Sequence, residues 1–226
     1  MPVPKEIELK LEVPPENLPR LAKIPQLRAL KTPAKSATEI SVYFDTESRR
    51  LRKKGLMLRV RRVGDRYVQT IKSAGHSDLF ERDEWECEID GAMPDLRLAQ
   101  GTALEPLLSR KFCRQLKPIF ETRVRRKTYP LSNGDSDIAL TLDKGEIDIG
   151  DRSKPLCEIE LELKRGHEAE LFEIARELTH AVAAQLALKS KSKREADLKI
   201  ADAGLHQASP AEGSLARTIN ACSTAF

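Results

Sequence analysis

Two short segments in which charged and apolar residues alternate constrain the fold of this chain more than any other feature. They are Glu6–Leu11 and Glu158–Leu163. Because successive side chains of a strand point to opposite faces, each segment would place its charges on one face and its aliphatic residues on the other. One such strand is typical of the surface of a soluble sheet. Several of them, with both signs of charge, predict a barrel whose interior is charged and whose outer face is covered.

Strand patterns also dominate the rest of the sequence, and turn signals separate several of them. Gly64-Asp65 and Asn133-Gly134-Asp135 are typical of such turns. Eight strands joined by short links predict an α+β fold, an eight-stranded antiparallel closed β-barrel with helices packed outside. We place the strands near residues 4–13, 37–46, 55–63, 66–73, 80–90, 118–129, 137–149 and 155–164.

Helical patterns are fewer. Apolar spacing predicts helices over Pro15 to about Leu30, over 96–114 and, most clearly, over about Glu168 to Leu186. The capping-box spacing of Ser192 and Glu195 predicts a further helix that ends before Gly204. We expect residues 1–204 to form one domain. Residues 205–226 then form either a frayed tail or a linker and the start of a truncated helical domain.

Composition narrows the class of protein. A hydrophobic fraction of 40% is enough for a core, and a net charge of +4 does not by itself indicate nucleic acid. The four cysteines form neither a CxxC pair nor a zinc spacing, which is typical of reduced thiols in a cytoplasmic protein. Neither a leader pattern nor an apolar run of about 18 residues is present, so we expect a soluble protein without a membrane partner.

The charged strand faces predict a binding site for a polyanion. Arginine forks match phosphate oxygens, and lysines act as point charges. The predicted substrate-binding cations on the strands are Lys10, Arg59, Arg61, Lys72, Arg82, Arg123 and Arg125. Carboxylates cannot bind phosphate directly but can hold divalent cations that bridge to it. The predicted metal ligands are Glu6, Glu8, Glu158 and Glu160, and their hard oxygens favour Mg²⁺ or Mn²⁺.

Three assignments leave alternatives open. The strand charges could form surface ion pairs on solvated faces, but like-charged glutamates side by side on a strand are unfavourable without a cation between them. The basic run containing Lys191, Lys193 and Arg194 is either a solvated face or a source of cations at one mouth of the barrel. Asp45 and Asp143 could face the barrel interior and order an arginine or lysine, but both lie beside turns, and we favour a local structural role for both.

Taken in order, these residues resemble the CYTH superfamily, the triphosphate tunnel metalloenzymes. The ExExK signature is present as Glu6, Glu8 and Lys10, and the resemblance covers about residues 3–200. The later motifs are Tyr43-Phe44-Asp45-Thr46, Leu58-Arg59-Val60-Arg61, Thr70-Ile71-Lys72, Arg82 to Glu86, Arg123 with Arg125, Leu142-Asp143-Lys144-Gly145 and Glu158-Ile159-Glu160. Residues 209–226 resemble the start of the first helix of a CHAD domain, which follows the tunnel domain in one bacterial branch.

The resemblance implies a tunnel barrel that hydrolyses or transforms linear triphosphates with Mg²⁺ or Mn²⁺. The CHAD-like segment favours tripolyphosphate as substrate, with long-chain polyphosphate as a further ligand. Glu6, Glu8 and Lys10 would take part in catalysis, and Glu160 or Glu162 would assist the attacking water. Two alternatives remain: a class IV adenylate cyclase, and a polyphosphate-binding module without turnover. The sequence leaves the oligomeric state unknown.

Overall fold

The computed structural model describes residues 5–24, 35–74, 81–133 and 135–187, which form an antiparallel sheet with few helices. This part of the predicted fold is confirmed. The eight predicted strands correspond to β1–β8, and a two-residue β9 was not predicted. The strands are β1 (Lys5–Glu12), β2 (Lys35–Asp45), β3 (Leu56–Val63), β4 (Arg66–Ala74), β5 (Glu81–Ile89), β6 (Lys117–Asn133), β7 (Ser136–Ile149), β8 (Arg152–Arg165) and β9 (Gln185–Leu186).

The strand pairing arranges the first and last parts of the chain side by side. Neighbouring strands follow the order β5-β4-β3-β2-β6-β7-β8-β1-β9. Strand β1 additionally pairs with β5, where Glu6 lies opposite Arg82. On the other side of β1, Lys10 lies opposite Glu160 of β8. The ExExK segment is therefore held between β5 and β8.

The helices are short, and the three helices predicted before Ser192 all differ from the structure. The first, over Pro15 to about Leu30, is a 3-10 helix over Pro15–Lys23, and residues 25–30 lie outside the described residues. Three α-helices are present in the described ranges: α1 (Arg50–Lys53), α2 (Arg110–Gln115) and α3 (Glu168–Val182). Further 3-10 turns cover Pro15–Lys23, Leu96–Ala99 and Glu105–Leu107.

The prediction of one helix over 96–114 is wrong. Gly101 has a φ of +75°, which breaks helical geometry. Pro106 lacks an amide hydrogen and starts only a single turn. Helix α3 ends at Val182 because Ala183 is left-handed and the chain then pairs with β1. The helix predicted after Ser192 and the segment 205–226 lie outside the described residues.

Apolar side chains cover the outer face of the sheet in two clusters. In the first, Leu9 and Ile159 pack with Leu171 and Leu178 of α3. In the second, Val60 of β3 packs with Phe112 of α2 and other side chains. The alternating charged residues of the same strands must therefore face the other side, the inner face of the sheet. In the described part of the chain, helices long and apolar enough to cross a bilayer are absent.

Gly145 of β7 is required by close backbone contact. A Cβ atom at this position would lie 1.8 Å from the carbonyl oxygen of Arg123 on β6. Because backbone has to move to make room, we expect Gly145→Ala to cost about 1–3 kcal/mol of unfolding free energy. Gly91→Ala is the control, since its Cβ meets nothing within 4 Å. Urea unfolding measures both variants, and equal stability of the two would contradict this reading.

Candidate active site

The inner face of the sheet carries a network of largely buried ion pairs to which all of β1–β8 contribute. We call this set the inner network. Its cations are outnumbered by its carboxylates, and both signs are interleaved around the sheet. Its members are Lys10, Arg59, Arg61, Lys72 and Arg126, together with Glu8, Glu39, Glu84, Glu86, Asp143, Glu158 and Glu160, and the hydroxyl of Thr70.

Lys10 joins β1 to β8. Its Nζ donates to Glu8 Oε1 at 2.7 Å and lies 3.3 Å from Glu160 Oε1. Leu9 and Leu11 anchor this segment by facing the outer cluster under α3. The position of the ammonium group thus follows directly from the strict alternation of the ExExK segment.

Arg126 is the centre of the network. Its guanidinium makes a bidentate contact with Asp143, at 2.8 Å from Nε to Oδ1 and 2.6 Å from Nη2 to Oδ2. Its Nη2 also donates to Glu160 Oε2 at 2.9 Å, and its Nε lies 3.5 Å from Glu39 Oε2. Burial alone would lower the pKa of Arg126, but Glu160 and Asp143 outweigh the effect of burial and raise the pKa. This side chain therefore remains cationic, and it connects four strands.

The cations of β3 and β4 face carboxylates of β5. Arg59 Nη2 and Arg61 Nη2 lie 3.4 and 3.3 Å from the same oxygen, Glu86 Oε1. Thr70 Oγ1 donates to that oxygen at 2.8 Å. Lys72 Nζ lies 3.2 Å from Glu84 Oε1. Four cationic and polar groups of two adjacent strands thus lie together on one part of the inner face.

Asp143, Glu158 and Glu160 form an acidic cluster on β7 and β8. Carboxylate oxygens of the three residues lie within 4.8 Å of one another, and Asp143 and Glu158 are buried. Because buried like charges repel strongly, such a cluster is stabilised by cations. Arg126 neutralises part of it, and the hard oxygen donors also suit Mg²⁺ or Mn²⁺. The chemistry of the residues therefore fits a divalent metal.

The structure brings together most of the residues predicted from the strand patterns. Lys10 and Lys72 lie in the inner network with both predicted arginines of β3, and so do Glu8, Glu158 and Glu160. Glu6 and Arg82 are placed opposite each other in the β1–β5 register. The predicted Lys191, Lys193 and Arg194 lie outside the described residues.

On β6 the structure differs from the prediction for Arg123 and Arg125. Both lie on the outer face, because residues of the opposite parity, such as Arg126, are the ones that reach the inner network. Arg123 Nη2 lies 2.7 Å from Glu121 Oε1, and Arg125 Nε donates to Ser36 Oγ at 3.5 Å.

Among the other candidates, Glu162 pairs with Lys164 at 2.5 Å and is the more exposed of the two predicted water-assisting glutamates. Asp45 has the local role that was predicted, since it accepts hydrogen bonds from the backbone of Thr46, Leu51 and Arg52. The corresponding prediction for Asp143 is wrong. The sequence does indicate that Asp143 lies on the charged inner face, because Thr141 and Asp143 alternate with apolar residues.

The network predicts a loss of stability in acid. Burial alone would raise the pKa of Glu86, but Arg61, Arg59 and the Thr70 hydroxyl outweigh it and hold the pKa below its ordinary value of 4.5. Burial would likewise raise the pKa of Glu8, but Lys10 outweighs the effect of burial, so the pKa of Glu8 is also lowered. A carboxylate with a lowered pKa in the folded state stabilises the fold above its unfolded-state pKa. That contribution is lost as the pH falls through the folded-state value.

We therefore expect the melting temperature to fall steadily below about pH 4.5. The decrease in melting temperature per pH unit should be smaller in Glu86→Gln, which has lost one of the titrating groups. Thermal melts of both proteins from pH 7 to pH 3 measure this difference. Identical slopes for the wild type and the variant would contradict it.

Comparison with known proteins agrees with this geometry. The family model of the CYTH domain matches residues 4–196. The chain belongs to the CYTH family. An inorganic triphosphatase from Haemophilus influenzae is 30% identical to this CYTH chain over 196 residues, which are 84% of this chain and 54% of the relative. The chain thus spans about half the length of this curated relative.

Solved structures show the same CYTH fold. A candidate adenylate cyclase from Bacillus halodurans aligns with a TM-score of 0.57 at 20% identity, covering 84% of this chain and 97% of its own. A candidate adenylyl cyclase from Hippeastrum, described as having a dominant triphosphatase activity, aligns with a TM-score of 0.55 at 20% identity. It covers 89% of this chain and 97% of its own. At these identities the likeness shows the fold alone.

Proposed function

We propose that this CYTH chain is a metal-dependent inorganic triphosphatase that hydrolyses tripolyphosphate to pyrophosphate and phosphate. The observation that carries the proposal is the convergence of Arg59, Arg61 and Arg126 with the acidic cluster on one buried face. The curated relative from Haemophilus influenzae, named an inorganic triphosphatase, supports it. We further propose that the sheet acts as a closed tunnel, which the β1–β5 pairing supports.

In this proposal the cations of the inner network bind the phosphate chain. Lys72 and the arginines of β3 would exchange their contacts with Glu84 and Glu86 for phosphate oxygens. Arg126 takes the role that the sequence suggested for Arg123 and Arg125, since it is the β6 arginine that reaches the interior. Fixed cations of this kind stabilise charge that develops on the transferred phosphoryl group.

The carboxylates provide the metal ligands and the proton acceptor. Asp143, Glu158 and Glu160 would hold the ion together with Glu8 and with the proposed ligand Glu6. A bound Mg²⁺ or Mn²⁺ supplies Lewis-acid polarisation of the phosphate oxygens. Glu160 would orient the attacking water and accept its proton. Water attacks a terminal phosphorus, the bond from that phosphorus to the bridging oxygen breaks, and pyrophosphate leaves.

Several finer points remain part of the proposal. Long-chain polyphosphate would be a further ligand, Lys191, Lys193 and Arg194 would lie at one mouth, and the protein would be cytoplasmic. Residues 1–204 would form the CYTH domain, and residues 205–226 would begin a second, helical domain.

The test is a product analysis with tripolyphosphate, ATP, thiamine triphosphate and long polyphosphate, each with Mg²⁺ or Mn²⁺. We expect phosphate and pyrophosphate from tripolyphosphate at the highest kcat/KM, and loss of turnover when the metal is chelated. Cyclic AMP and pyrophosphate from ATP would instead establish a cyclase. Tight polyphosphate binding without any product would establish a binding module.

A further inference from the structure

We infer that the space lined by the inner network, which we call the chamber, is blind. An apolar plug inside the sheet closes one end of it, so that a linear polyphosphate enters only by its terminus. This inference rests on the proposed function, because it concerns how that substrate is admitted. The plug consists of Tyr43, Phe120, Val124, Ile147 and Leu156, which form a core cluster separate from the two outer clusters.

The plug lies on the inner face, as strand parity shows. On β2, Tyr43 has the parity of Glu39, and on β6, Phe120 and Val124 have the parity of Arg126. Both Glu39 and Arg126 belong to the inner network.

The same holds for the two neighbouring strands. Ile147 of β7 is in phase with Asp143, and Leu156 of β8 is in phase with Glu158 and Glu160. On β3 the partly buried Met57 packs against the plug and is in phase with the two network arginines. Along five strands, the inner face thus changes from charged to apolar in the same direction.

That direction is the end of the sheet where β2 stops and β3 and β6 begin. Tyr43 and Phe120 are direct cross-strand neighbours there, and their rings stack with centroids 4.1 Å apart. Phe120 is 0% exposed and Tyr43 is 4% exposed. Because both rings are buried and stacked on each other, a phosphate chain cannot pass between them.

The opposite direction is more open to solvent. Glu88 of β5 lies there, in phase with Glu86 and level with Arg61 in the strand register, and it is exposed. Tyr43 lies opposite Arg59 in the β2–β3 register, so the plug begins directly beside the cations. A chain terminus that enters past Glu88 would reach Arg61, then Arg59, and stop at Tyr43. The plug therefore limits how many phosphate units lie beyond the reacting phosphorus, and this makes its residues specificity determinants.

The first test is binding stoichiometry, measured by titration calorimetry on the full chain in EDTA, with linear polyphosphates of increasing length. A blind chamber binds chain ends, so saturation should not exceed two protein molecules per chain at any length. Cyclic trimetaphosphate, which has no end, should not compete. Stoichiometry that grows with chain length, in a protein that hydrolyses tripolyphosphate, would overturn the plug and leave the proposed function intact. Failure to bind or hydrolyse tripolyphosphate would instead overturn the proposed function itself.

The second test removes part of the plug and uses a matched control. Phe120→Ala should raise the ratio of kcat/KM for tetrapolyphosphate to that for tripolyphosphate several-fold, because the chamber deepens. Phe112→Ala removes the same side chain from an outer cluster at equal burial, and should leave the ratio unchanged. Val124→Ala is a milder plug variant if Phe120→Ala does not fold. An unchanged ratio in a folded plug variant would overturn the inference.

Discussion

Replacement of Arg126 by Ala should reduce tripolyphosphate hydrolysis by about a thousandfold, the usual scale for loss of a cation that stabilises a transferred phosphoryl group. The same change should lower the free energy of unfolding by about 3–5 kcal/mol. The reason is that buried Asp143, 2.6 Å from its Nη2, would lose its cation, and half-buried Glu160, at 2.9 Å, would keep Lys10 but lose Arg126. Steady-state kinetics and urea unfolding measure the two effects separately.

The adjacent residue provides a matched control. Arg125 has the same charge but lies on the outer face, where it contacts Ser36. Arg125→Ala should therefore keep activity within about threefold and stability within about 0.5 kcal/mol. Arg126→Lys separates charge from geometry, because lysine cannot reproduce the bidentate contact with Asp143. Equal losses in Arg125→Ala and Arg126→Ala would show that the inner face is not where the substrate binds.

Replacement of Glu160 by Gln is the second change with a large expected effect. This carboxylate contacts Lys10 and Arg126 and belongs to the acidic cluster, so its neutral isostere removes both a metal ligand and the proposed proton acceptor. We expect kcat to fall by about a thousandfold. Mn²⁺ affinity, measured by electron paramagnetic resonance, should fall by at least about tenfold.

Glu162→Gln is the control for this change. Glu162 has the same parity on β8, but it pairs with Lys164 and its side chain is 32% exposed. Its replacement should leave Mn²⁺ affinity unchanged and kcat within about threefold. If Glu162→Gln lost activity while Glu160→Gln kept it, the roles assigned to Glu160 and Glu162 would have to be exchanged.

The parts of the site that could be predicted from sequence are those with strict alternation. Lys10 and Glu160 follow because each lies between aliphatic residues that can only face the outer cluster. On β6 the sequence contains Arg123, Arg125 and Arg126, so both parities carry cations and the pattern cannot choose between the faces. The choice is made by cross-strand pairing, which aligns β6 with Glu39 of β2.

Other features depend on contacts that leave little trace in the sequence. Strand β9 has only two residues, and it pairs with β1 because Ala183 turns the chain after α3. The plug could not be predicted because Tyr43 and Phe120 are far apart in the chain and each is typical of an ordinary core position.

The central claim is that metal and triphosphate bind together on the inner face of the sheet. The most direct measurement is the anomalous diffraction of crystals grown with Mn²⁺ and the non-hydrolysable analogue imidotriphosphate. We predict a manganese peak beside Asp143, Glu158 and Glu160, with phosphate oxygens on Arg59, Arg61 and Arg126. A manganese peak and phosphates bound only on the outer surface, with the ion pairs of the inner network intact, would contradict the account.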